Sequence, residues 1–316
     1  MGVFVLLPLV LPLTAWPIAR LAAHRLHPRA ATRLLTGVGL VLAVCSTLCL
    51  GLLAIVGTAQ LPGNPLPDAW ADPQVRAAVP RDEVVGRAAI GALGCAAWAC
   101  AALLLRHHRV RRRAARALHG LRGTTVAVLR DPVPYAHTLP ARGARRGRIV
   151  VSTGMLAALG PSERRALFAH ERAHLGARHH RHLLLAGLAA RANPFLRPLR
   201  TGVAYSVERW ADEEAAARVG DRRVTARAVA RAALLAGTVP AAASGAALPA
   251  LAAVGPVPRR VAALLEPAPA VRRWPPTFTA AGLAAWAAAA GAAASAMSSA
   301  GSAVTLIALL RAATPL

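Results

Sequence analysis

The sequence predicts a mainly α membrane protein, with about four transmembrane helices and an α+β domain facing the cytoplasm. Three observations carry this prediction. The chain of 316 residues is 56% hydrophobic with a mean hydropathy of +0.45, more apolar than a soluble domain of its length. Long uncharged stretches recur toward both ends. Between them lie β-branched runs and helical patterns crowded with arginine.

About 20 apolar residues are needed to cross a bilayer. The clearest candidate is 34–57, "LLTGVGLVLAVCSTLCLGLLAIVG". Residues 88–105 end against an arginine-rich flank, and 279–310 are uncharged and rich in Ala and Gly. The stretch 3–18 has no basic residue before its apolar run and no small-residue cleavage site after it, so it reads as a first span and not as a signal peptide. Residues 232–254 are also uncharged, but Pro240, Gly245 and Pro249 interrupt them, so the count leaves them out and a fifth span there stands as the alternative. Residues 19–33 and 106–116 are strongly basic, whereas 58–86 carries Asp68, Asp72, Asp82 and Glu83 against Arg76 and Arg81. Arginine retained on the cytoplasmic side then places the N-terminus and the 58–86 loop outside. The expected organisation is a membrane region over 1–105, with spans near 3–18, 34–57 and 84–105, a cytoplasmic domain over 106–277, and a final span with a short tail over 278–316.

The net charge of +25 invites a nucleic-acid reading. Every one of the 38 basic residues is arginine, however, as GC-rich codon usage would produce, and no RNA-binding aromatic motif or helix-turn-helix pattern accompanies them, so no direct nucleic-acid partner is expected. Cys45, Cys49, Cys95 and Cys100 all fall inside proposed spans and read as small packing residues, not as a disulfide set or metal ligands.

In the cytoplasmic region, "TTVAVLRD" (124–131) and "GRIVVSTG" (147–154) are β-branched runs bounded by Gly, Asp and Pro, as strands are. Gly160-Pro161-Ser162-Glu163 starts a helix, with Ser162 available as a cap, running over 163–178. A loop-like stretch containing Gly, Asn and Pro leads to a second helix over about 203–218, stopped by Gly220, and a third over about 224–236.

The first of these helices carries "LFAHERAHLGARHH" (167–180). Positions i and i+4 share a helix face, so His170 and His174 aim their imidazoles at one point with Glu171 beside it. Three protein ligands around zinc leave a fourth position for water, and a neighbouring carboxylate can take that water's proton. Glu208, in "SVERWADEEAA" on the next helix, supplies the third ligand. Asp212 lies one turn further on the same face, placed to accept a hydrogen bond from a ligand histidine and fix its tautomer. His-Glu-x-x-His alone arises readily in a His-rich, Arg-rich helix; its combination with a helix start, a turn and a Glu-x-x-x-Asp helix does not. His179, His180 and His182 read as a polar helix end near the membrane surface, and His107, His108, His119 and His137 as surface residues.

"GRIVVSTGMLAALGPSERRALFAHERAHLGARHHRHLL", "NPFL", "SVERWADEEAA" and "VPRRVAALLEP" (257–267) together resemble the gluzincin membrane metallopeptidases, most closely the antirepressor family of the BlaR and MecR signal transducers. The short interval between His-Glu-x-x-His and Glu208 favours that family over the related HtpX and CAAX-prenyl-protease group. The resemblance covers about 120–267. It implies a zincin-like metalloprotease domain with one Zn2+ per chain, held by His170, His174 and Glu208, with Glu171 as general base. It further implies a protein substrate such as a winged-helix repressor, and a strand at about 148–153 lining the substrate cleft. HtpX-like quality control of membrane proteins and a catalytically silent scaffold are the alternatives; the intact Glu171 speaks against silence. The chain has no lysine, so the Ser-x-x-Lys nucleophile of the β-lactam sensors is missing, and a signal is expected to arrive through the 58–86 loop, the spans or a partner.

Overall fold

The computed structural model describes residues 7–71, 75, 82–117, 125–141, 147–237, 256–269 and 277–313. The chain is a mainly α membrane protein. Three described helices are long and apolar enough to cross a membrane: α2 (Pro28–Ala59), α3 (Asp82–Ala117) and α10 (Ala280–Ala313). The first two contain the uncharged stretches expected at 34–57 and 88–105 and are longer by a turn or more, while the third follows the stretch expected at 279–310 to within three residues at each end. The expected span at 3–18 lies partly outside the described residues; from Leu11 the chain forms a short 3-10 turn and then α1 (Ala15–Arg25). Residue 232 is in a helix that ends at Gly237, and the rest of 232–254 lies outside the described residues.

Within α2 the hydroxyls return to the helix's own carbonyls, Thr32 to Pro28 and Thr36 to Thr32, which satisfies them without water. The spans α2 and α3 meet where Gly57 faces Gly86, so closely that a Cβ on Gly57 would lie 2.5 Å from the Gly86 carbonyl carbon. The helix α3 continues unbroken past residue 105, beyond the membrane boundary expected there.

A three-stranded sheet follows, formed by β1 (Val126–Leu129), β2 (Ala136–Leu139) and β3 (Arg148–Ser152) in the spatial order β1-β3-β2. Strand β3 pairs in parallel with β1, Val126 opposite Ile149, and antiparallel with β2, Ala136 opposite Val151. The strand expected to line a cleft is thus the middle one, with its backbone engaged on both sides. The sheet's edge toward the His-Glu-x-x-His helix is β2, a strand not expected from the sequence, since "AHTL" is too short and mixed to show a two-residue period. The helix α4 (Thr153–Ala158) leaves the sheet at once, capped by the Ser152 hydroxyl accepting from the Met155 N–H. Only glycine fits at 154, where a Cβ would sit 2.0 Å from the Pro132 carbonyl oxygen.

The remaining α-helices among the described residues are α5 (Pro161–Gly176), α6 (His179–Ala192), α7 (Arg197–Val219), α8 (Arg222–Gly237) and α9 (Val257–Leu265). Pro161 occupies the first turn of α5, where its missing N–H is no loss, and the Glu163 carboxylate accepts from the Gly160 N–H; Ser162 lies within the helix and is not its cap. The stretch expected to be loop-like is largely α6 and the start of α7. Only Asn193–Leu196 interrupts them, because the Asn193 side chain accepts from the Phe195 N–H and Pro194 cannot extend α6. Gly220, at φ 74°, ends α7. The first half of α7 packs its buried Leu199, Val203 and Val207 into one apolar core with Leu35, Val38 and Leu42 of α2 and Ala19 of α1.

Candidate metal centre

The face of α5 that carries His170 and His174 is turned toward the second half of α7. Their Nε2 atoms stand 3.0 Å apart, and each lies 3.6 Å from a different oxygen of the Glu208 carboxylate. All three ligand atoms lie within 4.8 Å of one another. Donors about 2.0–2.2 Å from a tetrahedral zinc lie roughly 3.3 Å from each other, so the observed spacings bracket what such an ion requires. Two imidazole nitrogens and one carboxylate oxygen, largely screened from water, are also a donor set that suits zinc. Glu171 is buried next to them.

Both histidines are held from behind. His170 Nδ1 lies 3.0 Å from Asp212 Oδ1, the partner expected from the sequence. His174 Nδ1 lies 3.0 Å from Nδ1 of His179, which is fully buried and packs against Trp210, the ring centroids 4.6 Å apart and the planes tilted by 57°. Neither the burial of His179 nor its contact with His174 was expected. Arg178 between α5 and α6 adopts a left-handed conformation, φ 53°, and this turn folds the start of α6 back onto His174. Trp210 in turn lies under the guanidiniums of Arg29 and Arg33 from the first turns of α2. His182 reaches α2 directly, its Nδ1 3.2 Å from the Thr36 hydroxyl. Of the histidines expected at the surface, His137 on β2 is half-buried, and burial pushes it down to about 4; His119 lies outside the described residues.

Residues 105–191 match the sequence profile of peptidase family M48. The chain is a metallopeptidase. The matched segment contains the end of α3, the sheet, α5 and nearly all of α6, and with them His170, Glu171 and His174. Glu208 comes to the site from beyond it. Neither a curated protein nor a solved structure matches the chain.

A further side chain of the peptidase's centre comes from α9. Arg260, 9% exposed, donates from Nε to Asp212 Oδ2 at 2.7 Å and from Nη2 to Asp212 Oδ1 at 2.8 Å, while its Nη1 lies 3.1 Å from Glu208 Oε2. Leaving either partner of such a buried ion pair alone costs about 3–5 kcal/mol. The only signal for Arg260 in the sequence was its place in "VPRRVAALLEP", and one arginine among 38 basic residues does not announce itself.

The electrostatics follow from this packing. Burial raises both acids, but at Glu208 the two histidines and Arg260 outweigh it, and at Asp212 Arg260 and His170 do, so both are held below the usual carboxylate range. Burial disfavours the His170 cation, yet hydrogen bonds to Asp212 and Glu208 prevail and raise it to about 10. His174 lacks such compensation, and burial pushes it down to about 4. Burial also pushes Glu171 up to about 7, against the pull of His170 and Arg260.

Proposed function

We propose that this metallopeptidase is a membrane-anchored zinc endopeptidase of the gluzincin type, with His170, His174 and Glu208 as the metal ligands and Glu171 as the general base. The convergence of three donor atoms on one point, with a buried carboxylate adjacent to a ligand, is the observation that carries this reading. When bound, zinc would supply a Lewis acid that polarises the scissile carbonyl and acidifies a water. Asp212 orients His170 by accepting its Nδ1–H, which leaves the Nε2 lone pair directed to the metal. Glu171, buried beside the ligand His170, accepts the proton of the attacking water and passes it to the leaving amine.

In this proposal the peptidase domain spans about 106–277 and faces the cytoplasm, between a membrane region over 1–105 and a closing span over 278–316. Its substrate is a cytoplasmic protein, and its task is the regulatory proteolysis of a transcriptional repressor. The support is the resemblance of 120–267 to the antirepressor peptidases and the arginine asymmetry of the flanks. Because the profile match ends at residue 191, it speaks for the peptidase and not for one subgroup, and HtpX-like quality control of membrane proteins is the second reading.

Elemental analysis of detergent-purified protein tests the metal site. About one zinc per chain is expected, and substituting Ala for His170, His174 and Glu208 together should remove it. Retention of zinc by the triple variant would overturn the ligand assignment.

A further inference from the structure

Zinc needs one oxygen of Glu208, and the carboxylate offers two. The guanidinium of Arg260 occupies Oε2 through Nη1 and grips both oxygens of Asp212 through Nε and Nη2, so one side chain fixes two carboxylates a helical turn apart on α7. Arg260 reaches them from α9, which lies beyond the stretch 238–255. A second arginine clamps the opposite end of α9: Arg222 donates to the Ala263, Leu264 and Glu266 carbonyls and is itself ion-paired with Glu213 of α7. The two arginines divide the work. Arg222 fastens the helix, and Arg260, at its other end, meets the metal ligand.

We propose that Arg260 is a positioning residue for the metal centre: it takes up Glu208 Oε2, so that Oε1 is the oxygen left free for a metal, and it anchors Asp212 against His170 Nδ1. The proposal rests on the ligand assignment above. Metal affinity therefore depends on the α9 guanidinium, although no atom of α9 is a ligand. Lysine at 260 would keep the charge but lose the planar fork that serves both acids.

The test is zinc affinity measured by competition with a chromophoric chelator on the full chain in detergent, with the d–d absorption of the cobalt(II)-substituted protein as a second readout. Arg260→Met should weaken zinc binding about 10- to 100-fold, the range found for partners of metal ligands, and should alter the cobalt spectrum. Arg260→Lys should fall between Arg260→Met and wild type. Arg222→Met removes the other clamp without touching the site and should hold zinc within about threefold of wild type. Wild-type affinity in Arg260→Met overturns the proposal, as does an equal loss in Arg222→Met, which would reduce Arg260 to a fastener of α9. If Arg260→Met fails to fold, the double variant Arg260→Met/Asp212→Asn, which removes both charges of the pair, carries the test against Asp212→Asn alone: having also lost the contact to Glu208 Oε2, it should bind zinc several-fold more weakly than Asp212→Asn, and binding equal to that of Asp212→Asn overturns the proposal. His170→Ala separates this outcome from failure of the underlying reading. Should His170→Ala retain zinc, the ligand assignment falls; should it lose zinc while Arg260→Met does not, the role of Arg260 alone falls.

Discussion

The two halves of α7 belong to different environments. From Arg197 to Tyr205 the helix offers Leu199, Gly202 and Val203 to the spans, and Gly202 lets it approach so closely that an added Cβ would meet Leu35 Cδ1 at 2.9 Å. From Glu208 onward the same helix buries Glu208 and Asp212 and pairs both with the arginine of α9. The first half is held by shape and the second by charge. A helix is stiff, so the apolar half fixes where the charged half can stand, and the candidate metal centre is located by packing against α1 and α2. Changes around the charged half should reach the metal site directly; changes in the apolar half should lower stability and leave the metal site nearly unaltered.

The largest expected effect is on turnover. Glu171→Gln keeps the volume and hydrogen-bonding reach of the side chain and removes only its basic oxygen. Hydrolysis should fall by about 10²–10⁴-fold, the usual contribution of a general base, with zinc content unchanged. Cleavage of a casein-like substrate by wild type and variant at matched zinc content measures this; equal rates would exclude Glu171 as the base.

Asp212→Asn should act on the metal before it acts on the rate. Losing the carboxylate behind His170 should weaken zinc binding about 10- to 100-fold in a chelator competition. Wild-type affinity would show that His170 is oriented by something other than Asp212.

How much of this was legible in the sequence follows from the same contrast. His170, Glu171, His174, Glu208 and Asp212 could be read because helical spacing puts all of them on two facing stripes, and the spans because hydropathy is a local property. Arg260 and His179 could not. Their meaning lies in contacts between elements distant in the chain or across a left-handed turn at Arg178, which no periodicity encodes. The strand β2 escaped because four residues are too few to show a pattern. The start of α7 was missed for a different reason: its Pro and Gly read as breakers, yet Pro198 sits in the first helical turn and Gly202 serves a close approach to Ala19 and Leu35.

Protons should distinguish the charged half further. Without metal, His170 stays protonated up to about pH 10, because Asp212 and Glu208 stabilise its cation against burial. A metal ligand must be neutral, so zinc binding at pH 7–8 should expel about one proton from His170, and apparent affinity should rise about tenfold per pH unit in that range and weaken as pH falls. Calorimetry in two buffers of different ionisation enthalpy counts the proton. A count of zero would mean that His170 is already neutral.

The smallest expected effect on the site comes from the apolar half. Gly202→Val adds a branched side chain where the first new carbon already lies 2.9 Å from Leu35 Cδ1 and 3.4 Å from the Ala19 Cβ. Leu35 can swing its terminal methyl aside, but Ala19 has no rotamer to change, so α1 or α7 must move. Overpacking of this kind costs about 1–3 kcal/mol, and the unfolding temperature in detergent should drop accordingly. Glu208 lies nearly two turns further along α7 and is held by Arg260, so zinc affinity should stay within about threefold of wild type. Thermal unfolding and chelator competition on the same preparation test the division directly. A variant that unfolds at the wild-type temperature yet loses zinc would mean that strain introduced among the spans travels along α7 into the metal centre, and that packing and chemistry are not separable on this helix.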